Sequence, residues 1–149
     1  MKQSDKFDER QLMERGKIFM QAFLLLALLV FIDSFVKTLG LIWTDYFGSS
    51  LITIMSVTCF ASIKLILKDS YKGKNVGSWN AVVILITVVS ILNILKSALD
   101  LITGGDSFVK NSQLSSGGAL AISNLFLLLI AIVYWLKTHM DKKAEKLMD

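Results

Sequence analysis

Hydrophobic residues fall along the chain in four nearly unbroken blocks, about Ile18 to Trp43, Ser50 to Leu67, Trp79 to Ile102 and Gly118 to Leu136, separated by short polar segments. A helix rises about 1.5 Å per residue, and roughly 17 to 25 residues cross a hydrocarbon core, so each block is long enough to span a bilayer. Only helices or closed barrels satisfy the backbone in lipid, and none of the blocks shows the strict alternation of a barrel strand. The pattern therefore predicts an all-α integral membrane protein. Short connections make consecutive helices antiparallel neighbours, which predicts an up-down bundle of four transmembrane helices. Residues 1–17 read as a cytosolic amphipathic segment, with Ser4 as its N-cap candidate. The bundle occupies 18–136 and a charged cytosolic tail 137–149. The outer loop Thr103 to Gly117, rich in Gly and Ser, is the segment expected to be mobile. The chain has no proline, so the broken helices of many transporters have no proline signal here, although a glycine such as Gly40 could still interrupt a span.

Charge orients this pattern. Lys and Arg gather in the N-terminal tail (Lys2, Lys6, Arg10, Arg15, Lys17), the middle loop (Lys68, Lys72, Lys74) and the C-terminal tail (Lys137, Lys142, Lys143, Lys146), whereas the other two loops together hold only Lys110. This asymmetry places both termini and the middle loop in the cytosol. Trp43, Tyr46 and Phe47 would mark the outer interface, and Tyr71, Trp79, Tyr134 and Trp135 the inner one. The same placement accounts for the net charge of +4 without invoking nucleic acid as a partner.

Composition narrows the chemistry. With 54% hydrophobic residues over 149 and a mean hydropathy of +0.59, the chain is too apolar for an ordinary soluble domain. A cleaved secretory signal is not expected, because a largely charged segment precedes a first apolar block longer than a signal core. One cysteine, Cys59, and one histidine, His139, give neither a disulfide nor a metal site. No cofactor is implied, and no Ser, His and Asp set with shared geometry supports hydrolysis.

The remaining candidates are polar residues inside the spans. Measured along ideal helices, Asp33 lies about 22 Å and Lys37 about 28 Å from the cytosolic start of the first span, and Lys96 about 24 Å and Asp100 about 30 Å from that of the third. Asp33 is thus level with Lys96, and Lys37 with Asp100, which predicts crosswise pairing between the two helices besides the i,i+4 pairing within each. Ser56 and Asn124 each sit about 9 Å inside the outer boundary, with Asn93 just below Lys96. The expected result is one polar layer in the outer leaflet, comprising Asp33, Lys37, Ser56, Asn93, Lys96, Asp100 and Asn124. A structural reading has these groups fixing helix register, with Lys37 and Asp100 snorkelling outward. A functional reading has them lining an outward-facing site for a ligand, ion or proton. Proximity to one face and capacity for self-neutralisation favour the structural one.

Three further patterns bear on packing. Gly117-x-x-x-Ala121 opens the fourth span and allows close helix approach, and Thr53, Ser56, Cys59 and Ser62 give the second span a small-residue complement. Gly104-Gly105-Asp106 and Ser115-Ser116-Gly117-Gly118 resemble fragments of phosphate loops, but neither completes such a motif and both would face outward. Val36-Lys37-Thr38-Leu39 can be laid on Leu95-Lys96-Ser97-Ala98, with Ser34 over Asn93, as two related hairpins would require.

The opening Asp8-Glu9-Arg10-Gln11, followed by Lys17, Ala22 and a first span ending in a lysine-bearing segment, resembles a group of small four-span membrane proteins from Gram-positive bacteria whose function is not established. The resemblance covers the first third of the chain best and implies a bacterial cytoplasmic membrane. The functional expectation is a non-enzymatic accessory, regulatory or immunity-type subunit. Its partners would be the bilayer and a membrane protein or further copies of itself. The alternative is a small oligomeric transporter or exporter using Asp33 as coupling carboxylate.

Overall fold

In a computed structural model describing residues 8–71, 77–103, 108–110 and 112–146, the chain is all-helical apart from one very short hairpin. Its four helices, α1 (Glu9–Thr38), α2 (Tyr46–Leu67), α3 (Gly77–Ile102) and α4 (Ser116–Glu145), are each long and apolar enough to span a membrane. Ser4, the Gly104-Gly105-Asp106 fragment and the side chain of Trp79 lie outside the described residues.

Local chemistry sets the helix ends. Asp8 caps α1 in a capping box, its backbone N–H donating to Gln11 Oε1 at 3.2 Å. The Asp-Glu-Arg-Gln opening is thus a helix start, and α1 runs unbroken from it into the apolar block. At its other end the N–H of Gly40 donates to Lys37 O and that of Leu41 to Val36 O, a Schellman turn with Gly40 at φ +83°. The glycine therefore ends the helix and does not interrupt it. Asp69 closes α2 in the same manner at φ +52°, unusual for a residue with a Cβ. Asp45 Oδ1 accepts from the N–H of Gly48 and Ser115 Oγ from that of Gly118, so α2 and α4 begin with matching caps.

Packing departs from the expected ring of sequential neighbours. α1 packs on α2, α2 on α4 and α4 on α3, whereas α2 and α3, consecutive in sequence, share no extensive contact. The central pair α2 and α4 is parallel. Near their starts Ser116 Oγ donates to Asp45 Oδ2 at 3.0 Å, and towards their ends Ile66 and the adjoining Tyr71 cluster with Ala131 and Tyr134. Small side chains explain why these two meet: a Cβ added at Gly48 of α2 would lie 3.1 Å from that of Ala119 on α4, Cys59 Sγ donates to Phe126 O at 3.6 Å, and Ala119 and Ala131 are buried on α4. Small residues let helix backbones approach closely, which is the main source of association where lipid offers no hydrophobic drive. The close-approach residue on α4 is Ala119, beside Gly48, while Gly118 is buried against Phe108 and Leu114; the expected Gly117 and Ala121 are only half-buried. By contrast, α1 buries only Ile18 and Ala22. Phe19, Phe23, Phe31 and Phe35 all stand exposed on it.

Both ends of the bundle are tied. At one end Gln11 Nε2 donates to Asp69 O at 2.8 Å, Arg15 donates to Ser70 O at 3.2 Å, and Lys137 Nζ lies 3.0 Å from the Asp69 carboxylate and 2.9 Å from that of Asp141. The start of α1, the middle turn and the end of α4 thus share one end of the bundle. Tyr71 and Tyr134 are buried there edge-to-face, with ring centroids 5.6 Å apart, and do not stand out as interface anchors. Trp135 is exposed. At the opposite end the loop expected to be mobile contains a hairpin, β1 (Val109–Lys110) paired with β2 (Gln113–Leu114). This hairpin is joined to the α1–α2 loop, since Leu114 N–H donates to Trp43 O at 2.8 Å and Thr44 Oγ1 donates to Leu114 O at 2.9 Å.

Candidate functional site

The polar residues inside the helices separate into two clefts, one on each side of the central pair. The first lies between α1 and α2. Asp33 and Lys37 are one turn apart on α1, acid before base, the favourable order for an i,i+4 pair, and their charged atoms are 2.9 Å apart. The Schellman turn at Gly40 reverses the chain and returns Trp43, whose Nε1 donates to Asp33 Oδ1 at 2.9 Å. Lys37 Nζ also donates to Ser49 Oγ at 2.5 Å and stands 4.7 Å from the centre of the Tyr46 ring. Both carboxylate oxygens are engaged and the ammonium has three partners. The groove beside them, about 690 Å³, is lined by Ser34, Lys37 and Thr38 from α1 and by Ser50, Thr53 and Ile54 from α2.

The second cleft, about 370 Å³, lies between α3 and α4 and reaches Leu51 and Met55 of α2. Asn93, Lys96, Ser97 and Asp100 line it from α3, and Leu120, Ser123 and Asn124 from α4. Asn93 and Asn124 meet across it in a long hydrogen bond of 3.5 Å, while Asn124 Nδ2 donates back to Leu120 O at 2.8 Å. Lys96 and Asp100 are again one turn apart, but base precedes acid, the weaker order. Among the described residues neither forms an ion pair.

These positions revise the single layer. Asp33 does not reach Lys96, because α1 and α3 pack on different partners and the Asp33 carboxylate is held by Lys37 and Trp43. Ser56 donates to Thr53 O of its own helix at 2.9 Å and lines neither cleft. Four of the expected residues (Asn93, Lys96, Asp100, Asn124) do share one cavity, and two others (Asp33, Lys37) share the opposite groove.

A few positions of the two clefts correspond. Laying Lys37 on Lys96 sets Ser34 on Asn93 and Thr38 on Ser97; laying cap Asp45 on cap Ser115 sets Gly48 on Gly118, Ser49 on Ala119 and Thr53 on Ser123. All six of the matched α2 and α4 residues after the caps are buried. When the caps, and not hydropathy, set the alignment, the likeness between the first and third spans is accompanied by one between the starts of the second and fourth. The sequence reading missed Trp43 and Ser49, because a residue beyond a helix end becomes a partner only when the turn folds it back. It also left out Lys64, which donates to Gln21 Oε1 at 2.7 Å and stands 4.6 Å from the Phe60 ring centre. No family model matches the chain, and neither does any curated protein or solved structure.

Proposed function

We propose that the protein is a non-enzymatic, multi-pass component of a bacterial cytoplasmic membrane, with both termini cytosolic, acting as an accessory, regulatory or immunity-type subunit through helix contacts. The carrying observation is the full occupancy of Asp33. A coupling carboxylate must exchange partners during a transport cycle, and here one oxygen faces Lys37 and the other the Trp43 indole, with Ser49 holding the lysine from α2. Such a knot suits register and assembly. The exposed aromatic face of α1 offers a surface to lipid or to a partner helix.

Proteoliposome flux, together with affinity isolation from the native membrane, tests the reading. A stoichiometric membrane-protein partner and absence of flux support it; substrate-dependent flux abolished by Asp33→Asn overturns it in favour of a transporter. The orientation is tested separately in a Cys59→Ala background. An impermeant thiol reagent applied outside should label Ser112→Cys and spare Lys68→Cys, and the reverse pattern would invert the assignment.

A further inference from the structure

The two clefts place a lysine at the same position, but only one of them neutralises it. Lys37 has Asp33 one turn earlier and Ser49 on the facing helix; the matching positions for Lys96 are Leu92 and Ala119, so both partners are missing. Asp100 stands about 6 Å further along the same helix and, among the described residues, it too has no ion-pair partner. An ammonium and a carboxylate within a helix flanked by Leu95 and Leu99 are costly to leave unmatched. They line a cavity of about 370 Å³, at the lower end of the range for small-molecule sites, and the Asn93 and Asn124 amides converge on the same space.

We propose that the α3–α4 cleft binds a small zwitterion, a primary ammonium joined by a short linker to a phosphate or carboxylate. Its anionic group meets Lys96 and the amide N–H groups of Asn93, and its ammonium meets Asp100. Requiring both charges in one ligand follows from the arrangement: Lys96 and Asp100 stand one turn apart in the weaker order and, among the described residues, do not pair, so a zwitterion of opposite polarity completes both. The bilayer supplies this chemistry as an ethanolamine phospholipid headgroup, and the aqueous phase as a free amino acid. The proposal extends beyond the subunit reading and holds whichever protein the chain assists.

The test uses the full chain in a non-ionic detergent, with binding followed by calorimetry. The probes are water-soluble dihexanoyl-phosphatidylethanolamine, its phosphatidylglycerol counterpart, free phosphoethanolamine and glycine. Saturable binding is expected for at least one zwitterionic probe, with phosphatidylglycerol at least about tenfold weaker because it lacks the ammonium. Binding by the lipid alone assigns the bilayer as source, and binding by a soluble probe assigns the aqueous phase. Lys96→Met and Asp100→Asn should each weaken binding at least about tenfold, Lys96→Arg should retain it, and Lys142→Ala should leave it unchanged. Circular dichroism and elution volume report whether each variant remains folded. The proposal is overturned if no zwitterionic probe saturates, if phosphatidylglycerol binds as tightly as phosphatidylethanolamine, or if folded Lys96→Met and Asp100→Asn proteins both bind as the wild type does.

Discussion

Neutralising Asp33 alone should destabilise the bundle far more than removing the whole charge pair. In Asp33→Asn the Lys37 ammonium, whose side chain is only 11% exposed, loses its counter-charge and keeps Ser49 and the Tyr46 ring. Breaking a buried pair on one side costs about 3–5 kcal/mol. The 21% exposure of the Asp33 side chain and the surviving contact to Ser49 place the expected loss at the low end, about 3 kcal/mol, or roughly a hundredfold in the folded-to-unfolded ratio. In Asp33→Asn with Lys37→Met no charge remains, and apolar replacement of a buried pair is commonly neutral or stabilising, so the double variant should lie within about 1 kcal/mol of wild type. Reversible unfolding in mixed micelles, followed by circular dichroism and by Trp43 fluorescence, measures all three proteins. A single variant as stable as wild type, or a double variant less stable than Asp33→Asn, would refute the knot as the element joining α1 to α2.

Three substitutions examine the frame around it. In Gly118→Ala the new Cβ would lie 2.6 Å from the backbone oxygen of Phe108, so the hairpin must move; a loss of about 1–3 kcal/mol in the same unfolding assay, with faster proteolysis after Lys110, is expected. Gly40→Ala forces a side chain into φ +83° and should cost about 1–2 kcal/mol while weakening the Trp43 contact, read as a shift in indole emission. Tyr134→Phe removes the hydroxyl that donates to Asn80 Oδ1 and should cost about 1 kcal/mol without altering binding in the α3–α4 cleft.

Four helices of spanning length were legible because a bilayer demands length and composition, and both are written in the sequence directly. Which helix sits beside which was not, since hydropathy treats every face of a fully apolar helix alike. The order depends on small residues such as Gly48, Cys59 and Ala119, and the placing of Gly48 and Ala119 comes from where the caps Asp45 and Ser115 start the helical count. Depth arithmetic set Asp33 level with Lys96 but supplied no lateral information, and the two line different clefts. Tyr71 and Tyr134 mislead for a related reason: position near a helix end suggests an interface anchor, yet the α2–α4 seam reaches that end and buries both.

If acid-base order decides which cleft closes, the second can be converted into the first. Leu92 occupies on α3 the place of Asp33 on α1; in a spanning helix its 61% exposure is to lipid, so a carboxylate there depends on Lys96 for its counter-charge. Leu92→Asp would give Lys96 an acid one turn earlier, as Asp33 is to Lys37, adding an i,i+4 pair in its favourable order, worth about 0.2–0.5 kcal/mol. A gain that small is hard to see in unfolding. Its effect on binding should be large, because the new carboxylate competes with the anionic group of the zwitterion for one ammonium, and affinity should fall at least about tenfold. Leu92→Asn supplies similar polarity and volume without charge and should bind nearly as wild type. Equal losses in the two variants would mean that shape, and not the unmatched charge of Lys96, governs the cleft.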